Sequence, residues 1–212
     1  MMDFSPTEDQ QALVAAARRF ADEGLAPGSA ARERAGRLDR EVIREMGGLG
    51  LLGVELDESL GGLGMDFVTA GLVLEQIAPA DFSAAYLSVN LSLVCHVLAA
   101  HAQPDLARQW VGDLVAGRKI PSISLTEPRG GSDAANLQLR ARREGEHYVL
   151  NGEKASISFA DQADMTCVFA RTGPKEQGAS AISAFLIERD TPGLTVAQPY
   201  RKMGFHGSHE ST

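Results

Sequence analysis

Cysteine is scarce in this chain: 212 residues carry two. Cys95 and Cys167 each sit in an apolar run and read as reduced core thiols, not as a disulfide or a metal pair. Five histidines are present, none at the HxxxH or HExxH spacing that holds zinc on a helix, so no metal site is expected. Positive charge is also in short supply. Twenty Lys and Arg stand against 28 Asp and Glu, a formal net charge of −8. That balance argues against nucleic acid as a partner, because phosphate binding needs clustered Lys and Arg. The first residues, Met1 to Pro6, lack the basic and apolar regions of a signal peptide. The most apolar stretch, Ala84 to Ala100, is interrupted by Asn90, Ser92 and His96. It reads as too short and too polar for a membrane span, and so as a buried helix of a soluble, cytoplasmic protein.

What remains is an ordinary globular composition, 44% hydrophobic and 23% charged. The length allows one large domain or two small ones. The apolar period changes near Ile120. Before it the period is helical. Ser5-Pro6-Thr7-Glu8 has capping-box spacing, and the helix it opens should end at Gly24. Val42, Ile43, Met46 and Leu49 make a second apolar face, closed by Gly50. Phe67, Ala70, Leu74 and Ile77 make a third, and Ser83 to His101 is apolar nearly all round. Pro104 opens a last helix carrying Leu106, Trp110 and Leu114. After Ile120 the period is two. His147 to Leu150 runs into Asn151-Gly152, a hairpin signal; Met165 to Ala170 and Ile182 to Ile187 read as strands, and Thr191-Pro192-Gly193 turns into Leu194 to Val196. The expected architecture is α+β: an all-α helical bundle over 1–119 joined to an all-β module over 120–212.

At the seam lies Ile123 to Asp133, I-S-L-T-E-P-R-G-G-S-D. Its first half alternates, with Ile123 and Leu125 expected inward and Ser124 and Thr126 outward. Pro128 has no N–H to give a ladder, so the strand must stop there. Arg129-Gly130-Gly131-Ser132 then leaves bare backbone N–H groups that can approach a phosphate or the polar edge of a heterocycle. Such a loop is also an ordinary turn.

In its order of motifs the chain resembles the acyl-CoA dehydrogenase family along its whole length. Phe4 to Gln11 is similar to the family's first helix. Glu58 to Asp66 is similar to its E-x-Y-G-G-x-G loop, with Leu60 where Tyr is usual. Thr126 to Asp133 resembles T-E-P-x-x-G-S-D, and Tyr148 to Lys154 resembles Y-x-x-N-G-x-K. Thr191-Pro192-Gly193 and Lys202-Met203-Gly204 resemble the family's D-T-P-G and K-M-G.

The resemblance implies that the all-β module is an antiparallel, β-barrel-like domain, and that the protein is a flavoenzyme that uses FAD to remove two hydrogens across the Cα–Cβ bond of an acyl-CoA thioester. Carried over by position, Ile123, Leu125 and Thr126 would lie along the flavin, and Gly131 and Ser132 by the pyrophosphate and flavin edge. Ser156, Ile157 and Ser158 stand where the family reads W-I-T. Ser158 keeps a hydroxyl for the flavin edge, whereas Ser156 lacks the indole that covers one ring face; Phe159 is a candidate replacement. Ser132 would also touch the CoA part of the substrate, and Asn90 and Val94 would line the acyl channel, against a plain reading as core. No catalytic residue is expected among these residues: Glu127 reads as a loop residue, and the family's base comes from a C-terminal helical bundle. Without that bundle the chain reads as truncated and inactive by itself. The implied partners are the acyl-CoA substrate, an acceptor of the electron-transfer flavoprotein type, and further copies or a related subunit in an oligomer. Two other readings stand beside this one. One is a flavin-dependent acyl-CoA oxidase or monooxygenase-like relative; the other is a non-catalytic subunit that completes a partner's site. His206 and His209 read as surface strand residues.

Overall fold

The computed structural model describes residues 5–212; Phe4 and the N-terminal reading of Met1 to Phe4 lie outside the described residues. The chain forms two compact units. One holds the residues up to Lys119 together with Lys202–Ser208, and the other Ile120–Arg201 with His209–Thr212. The helical-then-β order is the one expected.

In the first unit, α1 spans Glu8–Phe20. Its cap is Thr7, not Ser5. Thr7 Oγ1 accepts the Gln10 N–H at 3.2 Å, and Gln10 Oε1 accepts the Thr7 N–H at 2.9 Å, a reciprocal box two residues later than the spacing suggested. The helix does not end at Gly24. A π turn, Ala21–Leu25, carries it into α2, Ala26–Ala35, which stops at Gly36 in a left-handed conformation. Gly24 is there for space: a Cβ would meet the Phe20 ring at 2.8 Å. Helix α3 (Arg40–Gly48) buries Ile43 and Met46. Helix α4 (Phe67–Ile77) is capped by Asp66 and buries Thr69, Val73 and Ile77. Phe67, expected inside, is 68% exposed, because it occupies the first helical position, off the buried stripe.

Helix α5 (Phe82–His101) is the apolar core helix, capped by Asp81, whose Oδ1 accepts the Ala84 N–H at 3.1 Å. It is longer than the stretch read from sequence, and by length and composition it could cross a membrane; half of its most apolar window is buried inside the protein. Leu87, Leu91, Val94, Cys95 and Leu98 are buried along it, each worth about 1.5–3 kcal/mol for the larger side chains. Helix α6 (Pro104–Val115) packs Trp110 and Leu114 beside it. Buried Arg32 on α2 pairs with Asp81 at 2.7 Å, and its guanidinium also donates to the Leu25 carbonyl.

The second unit is built on β1 (Pro121–Ser124), β2 (Arg140–Glu144), β3 (His147–Asn151), β4 (Ile157–Ser158), β5 (Met165–Arg171), β6 (Ile182–Glu188) and β7 (Glu210–Ser211). The sheet is mixed and open, not antiparallel and barrel-like. β1 runs parallel to β5, with Ile123 opposite Cys167, because the whole β2–β3 hairpin intervenes before the chain returns. β6 runs antiparallel along all of β5, and β4 pairs with β7 in a separate ladder. Leu139, Ala141, Val168 and Ala170 form the core, with Leu150, Phe185 and Ile187 against it.

Two turn expectations fail here. The hairpin turns at Gly145 (φ 61), between Glu144 and His147 at the strand ends; Asn151-Gly152 instead closes β3. Gly152 is required there because a Cβ would fall 2.8 Å from the Leu139 backbone, and its φ of 148 suits only glycine. Leu194 to Val196 forms no strand. That stretch is tied by single bonds nearby, Ala197 N–H to Thr212 O and Tyr200 N–H to Glu210 O, both 2.9 Å.

Candidate functional site

The seam sequence folds as its residue types dictate up to one inversion. β1 alternates, but the serines are the inward residues. Ser122 and Ser124 are buried and line a groove of about 910 Å³, with Ser124 Oγ 2.7 Å from Thr166 Oγ1. A hydroxyl pair satisfies itself inside, so polarity there costs little. Ile123 and Leu125 point to the opposite face and are half-buried. This overturns the inward placement of Ile123 and Leu125, and leaves two apolar side chains partly open on one face of the strand.

After Thr126 the chain makes a tight turn. The Gly130 N–H donates to Glu127 O at 2.8 Å, and Gly130 takes a φ of 130 that favours glycine. Gly131 packs over Thr126: a Cβ would lie 2.8 Å from Thr126 Oγ1. Among the described residues the N–H groups of Gly131 and Ser132 make no backbone hydrogen bond. Two successive open N–H groups beside a hydroxyl make a corner that could receive an acceptor oxygen.

Glu127 is the brace of this corner. It is buried, and its carboxylate accepts the Gln138 N–H at 2.6 Å, the Leu139 N–H at 2.8 Å and Lys154 Nζ at 3.0 Å. Burial raises its carboxyl pKa, but the Leu139 and Gln138 N–H donors, with Lys154 behind them, hold it below the usual 4.5. Lys154 is lowered from 10.5: its own burial outweighs what Glu127 returns. A carboxylate with three donors and a depressed pKa is a poor proton acceptor.

Lys154 also donates to Leu125 O at 2.9 Å, and the Ala155 N–H donates to Thr126 O at 3.0 Å. These bonds bring the segment with Ser156, Ile157 and Ser158 beside Ile123, Leu125 and Thr126. Within it the positions differ. Ser156 is exposed at φ 56. Ile157 is buried and lines the 910 Å³ groove. Ser158 is buried opposite Glu210 in the β4–β7 ladder. Phe159 is fully buried, with its N–H on His209 O at 2.8 Å, so its ring does not stand in for an indole at Ser156. Asn90 and Val94 are buried on α5 in the other unit and border neither cavity described; Asn90 Oδ1 has no hydrogen-bond partner among the described residues.

Sequence reasoning missed the Glu127–Lys154 pair, although both residues lay in motifs, since nothing in the spacing links them. It also missed Arg171, buried at the end of β5, whose guanidinium donates to the carbonyls of Leu137, Ala135 and Gly178 and pins the loop after the corner. His209 is not a plain surface residue: its Nδ1 lies 2.6 Å from Asp161 Oδ2.

Known proteins share this arrangement. Residues 7–118 match the acyl-CoA dehydrogenase N-terminal domain, and residues 122–212 the acyl-CoA dehydrogenase middle domain. The human mitochondrial short-chain specific acyl-CoA dehydrogenase is 37% identical over 202 residues, covering 95% of this chain and 49% of that protein. The butyryl-CoA dehydrogenase of Megasphaera elsdenii superposes with a TM-score of 0.89 at 33% identity, over 99% of this chain and 56% of that one. A glutaryl-CoA dehydrogenase from Mycobacterium smegmatis, solved in complex with FADH2, does so with a TM-score of 0.88 at 30% identity, over 97% of this chain and 52% of that one. The chain thus spans about half the length of the relatives it matches. With both domain patterns matched over nearly every residue, this chain belongs to the acyl-CoA dehydrogenase family.

Proposed function

We propose that this chain supplies the FAD-binding and acyl-CoA-binding surfaces of an enzyme that dehydrogenates an acyl-CoA thioester between Cα and Cβ. The observation that carries the reading is the corner at Thr126, Gly131 and Ser132: a hydroxyl and two open N–H groups, next to the half-buried face of Ile123 and Leu125. The apolar face suits a flat ring system, and the N–H groups suit its polar edge or a phosphate oxygen. Bound there, FAD would supply the redox chemistry by accepting a hydride, which no side chain here can do. The chain's own residues would hold it: Ile123, Leu125 and Thr126 along the ring, Gly131 and Ser132 by oxygens, and the segment Ser156 to Ser158 on the far side. Ser132 would also meet the CoA portion, and Asn90 and Val94 the acyl chain. The electron acceptor in this reading is a protein of the electron-transfer flavoprotein type, and the working form an oligomer.

The test is a titration of the protein with FAD, followed by flavin fluorescence, in wild type and Thr126→Val. Saturable quenching that weakens in the variant supports the reading. A wild type that leaves flavin fluorescence untouched, with or without an acyl-CoA, sinks it.

Ser156 favours a second reading, an acyl-CoA oxidase or monooxygenase-like relative. Its side chain is small and exposed, and Phe159 is buried away, so one ring face would stay open to oxygen. Stopped-flow mixing of the reduced, flavin-loaded enzyme with air separates the two: reoxidation that Ser156→Trp slows points to the oxidase, whereas sluggish reoxidation in both forms points to the dehydrogenase.

A further inference from the structure

The chain re-enters the helical unit once, through Lys202–Ser208. This strap is fastened at several points. The Phe205 ring meets Phe82 and Tyr86 edge-on, at 4.9 and 5.1 Å between centroids. Gly207 lies so close to Ser83 that a Cβ would fall 2.5 Å from its hydroxyl. Lys202 Nζ donates back to Ser208 O and sits 4.5 Å above the Phe205 ring.

A further fastening is on Glu33 of α2, whose carboxylate is met by His206 and also by the Gly207 backbone N–H. The His206 backbone N–H donates to Glu33 Oε2 at 2.9 Å, and ring Nδ1 lies 2.6 Å from Glu33 Oε1. The other ring nitrogen, Nε2, lies 3.0 Å from Lys202 O. A carboxylate and a carbonyl oxygen can only accept, so both ring nitrogens must donate. Neutral imidazole has a single N–H and satisfies one of these partners; imidazolium satisfies both.

Two further features bear on how firmly the strap is seated. Phe205 sits at φ 61, a conformation that bulky side chains disfavour, so the strap's own backbone resists its seat. A cavity of about 240 Å³ also remains beneath it, between Phe205 and Gly207 of the strap and Ser29, Arg32, Glu33 and Phe82. The charged and titratable groups around the strap are Glu33 and Arg32 from α2 and Asp81 before α5, which line the cavity, with Tyr86 of α5 against Phe205 and Lys202 in the strap itself. Arg32 and Asp81 bind each other, which leaves Glu33 as the carboxylate facing the ring.

We propose that Lys202–Ser208 is a proton-operated clip: His206 as imidazolium fastens the strap to α2 through Glu33, and loss of that proton loosens the strap from the helical unit.

The hydrogen bond to Glu33, then that to Lys202 O, raises the His206 pKa above 6.5. Burial raises the Glu33 carboxyl, but the His206 donors outweigh it and hold it below 4.5. A raised histidine contributes stability that is fully present below its unfolded value and lost as pH rises through its folded one. A lowered carboxyl contributes stability present above its unfolded value and lost as pH falls through its folded one. The clip is therefore strongest between about pH 4.5 and 6.5, and it opens on the alkaline side as the ring deprotonates.

Hydrogen exchange of the 202–208 peptide, corrected for intrinsic rate and referenced to an α3 peptide, tests this. In wild type, protection should fall about 10-fold or more from pH 6 to pH 9. His206→Arg, charged at both pH values, should keep its protection, and His206→Gln should be weakly protected at both. Imidazole ¹⁵N shifts of the wild type should show both His206 nitrogens protonated at pH 6, a readout that needs no variant to fold. Protection independent of pH, or a neutral His206 ring at pH 6, overturns the proposal.

Discussion

Lys154 Nζ lies 3.0 Å from Glu127 Oε1, with both side chains buried, and the same ammonium reaches Leu125 O. The pair joins the end of β1 to the start of β2 and to the segment before β4. Removing one partner strands the other in a low-dielectric site. Lys154→Met should therefore cost about 3–5 kcal/mol, and Glu127→Gln less, because Gln keeps an acceptor for one backbone N–H. The double variant should lose less than the sum of the singles. Urea midpoints of the three variants check this. Glu127 is a lowered carboxyl, so its contribution is present above pH 4.5 and fades as pH falls through its folded value; an acid titration of Glu127→Gln should be flatter than that of wild type there.

Gly131→Ala places a methyl 2.8 Å from the Thr126 hydroxyl, which must turn aside. The effect on folding should stay within about 1 kcal/mol, since a single rotamer can adjust. Flavin affinity should drop about 10-fold, through the displaced hydroxyl. Paired thermal melts and flavin titrations check both halves; equal affinities in wild type and variant would detach Thr126 from the site.

Asp81 does two jobs: it pairs with buried Arg32 and caps α5. Asp81→Asn keeps the cap and loses the charge; Asp81→Ala loses both. Breaking the pair should cost about 3–5 kcal/mol, with about 1 kcal/mol more for the alanine variant. Arg32→Met together with Asp81→Asn should recover part of the loss. Calorimetric unfolding of this set would reveal a merely peripheral pair if Asp81→Asn melted like wild type.

Both thiols are buried, and burial pushes the Cys167 pKa up to about 11 and raises that of Cys95 as well, with Glu55 adding to the latter. At pH 8 about one Cys167 in a thousand is a thiolate. Neither cysteine should react with iodoacetamide in the folded protein, and both should react in 6 M guanidinium. Mass spectrometry after a timed exposure reads this directly.

The helical-then-β order of the chain was legible because it rests on apolar period, which is local. The helices α3, α5 and α6 were legible for the same reason. Faces were less so: Phe67 lies on the outside of α4 although its spacing fits the stripe, since the first turn of a helix can leave the core before its period says so. The alternation of β1 gave its strand but not its polarity, because which face is interior depends on Thr166, 42 residues later. At Asn151-Gly152 a strong local turn signal lost to tertiary packing against Leu139. The candidate corner was legible through its glycines, whose role is to leave backbone bare. Its brace was not, because Glu127 and Lys154 meet only once the chain has folded.

Glu33 and His206 stand 173 positions apart, yet they close the same helical unit. As the chain leaves the ribosome, α1 to α6 emerge first, and the β unit must then be made almost entirely before the last piece of the helical unit appears. The first-made half therefore waits for the second to finish. Such long-range closure slows folding, and it makes the helical half a poor candidate for a truncation at Lys119: that fragment would expose Ser83 and the open faces of Phe82 and Tyr86 where Gly207 and Phe205 belong.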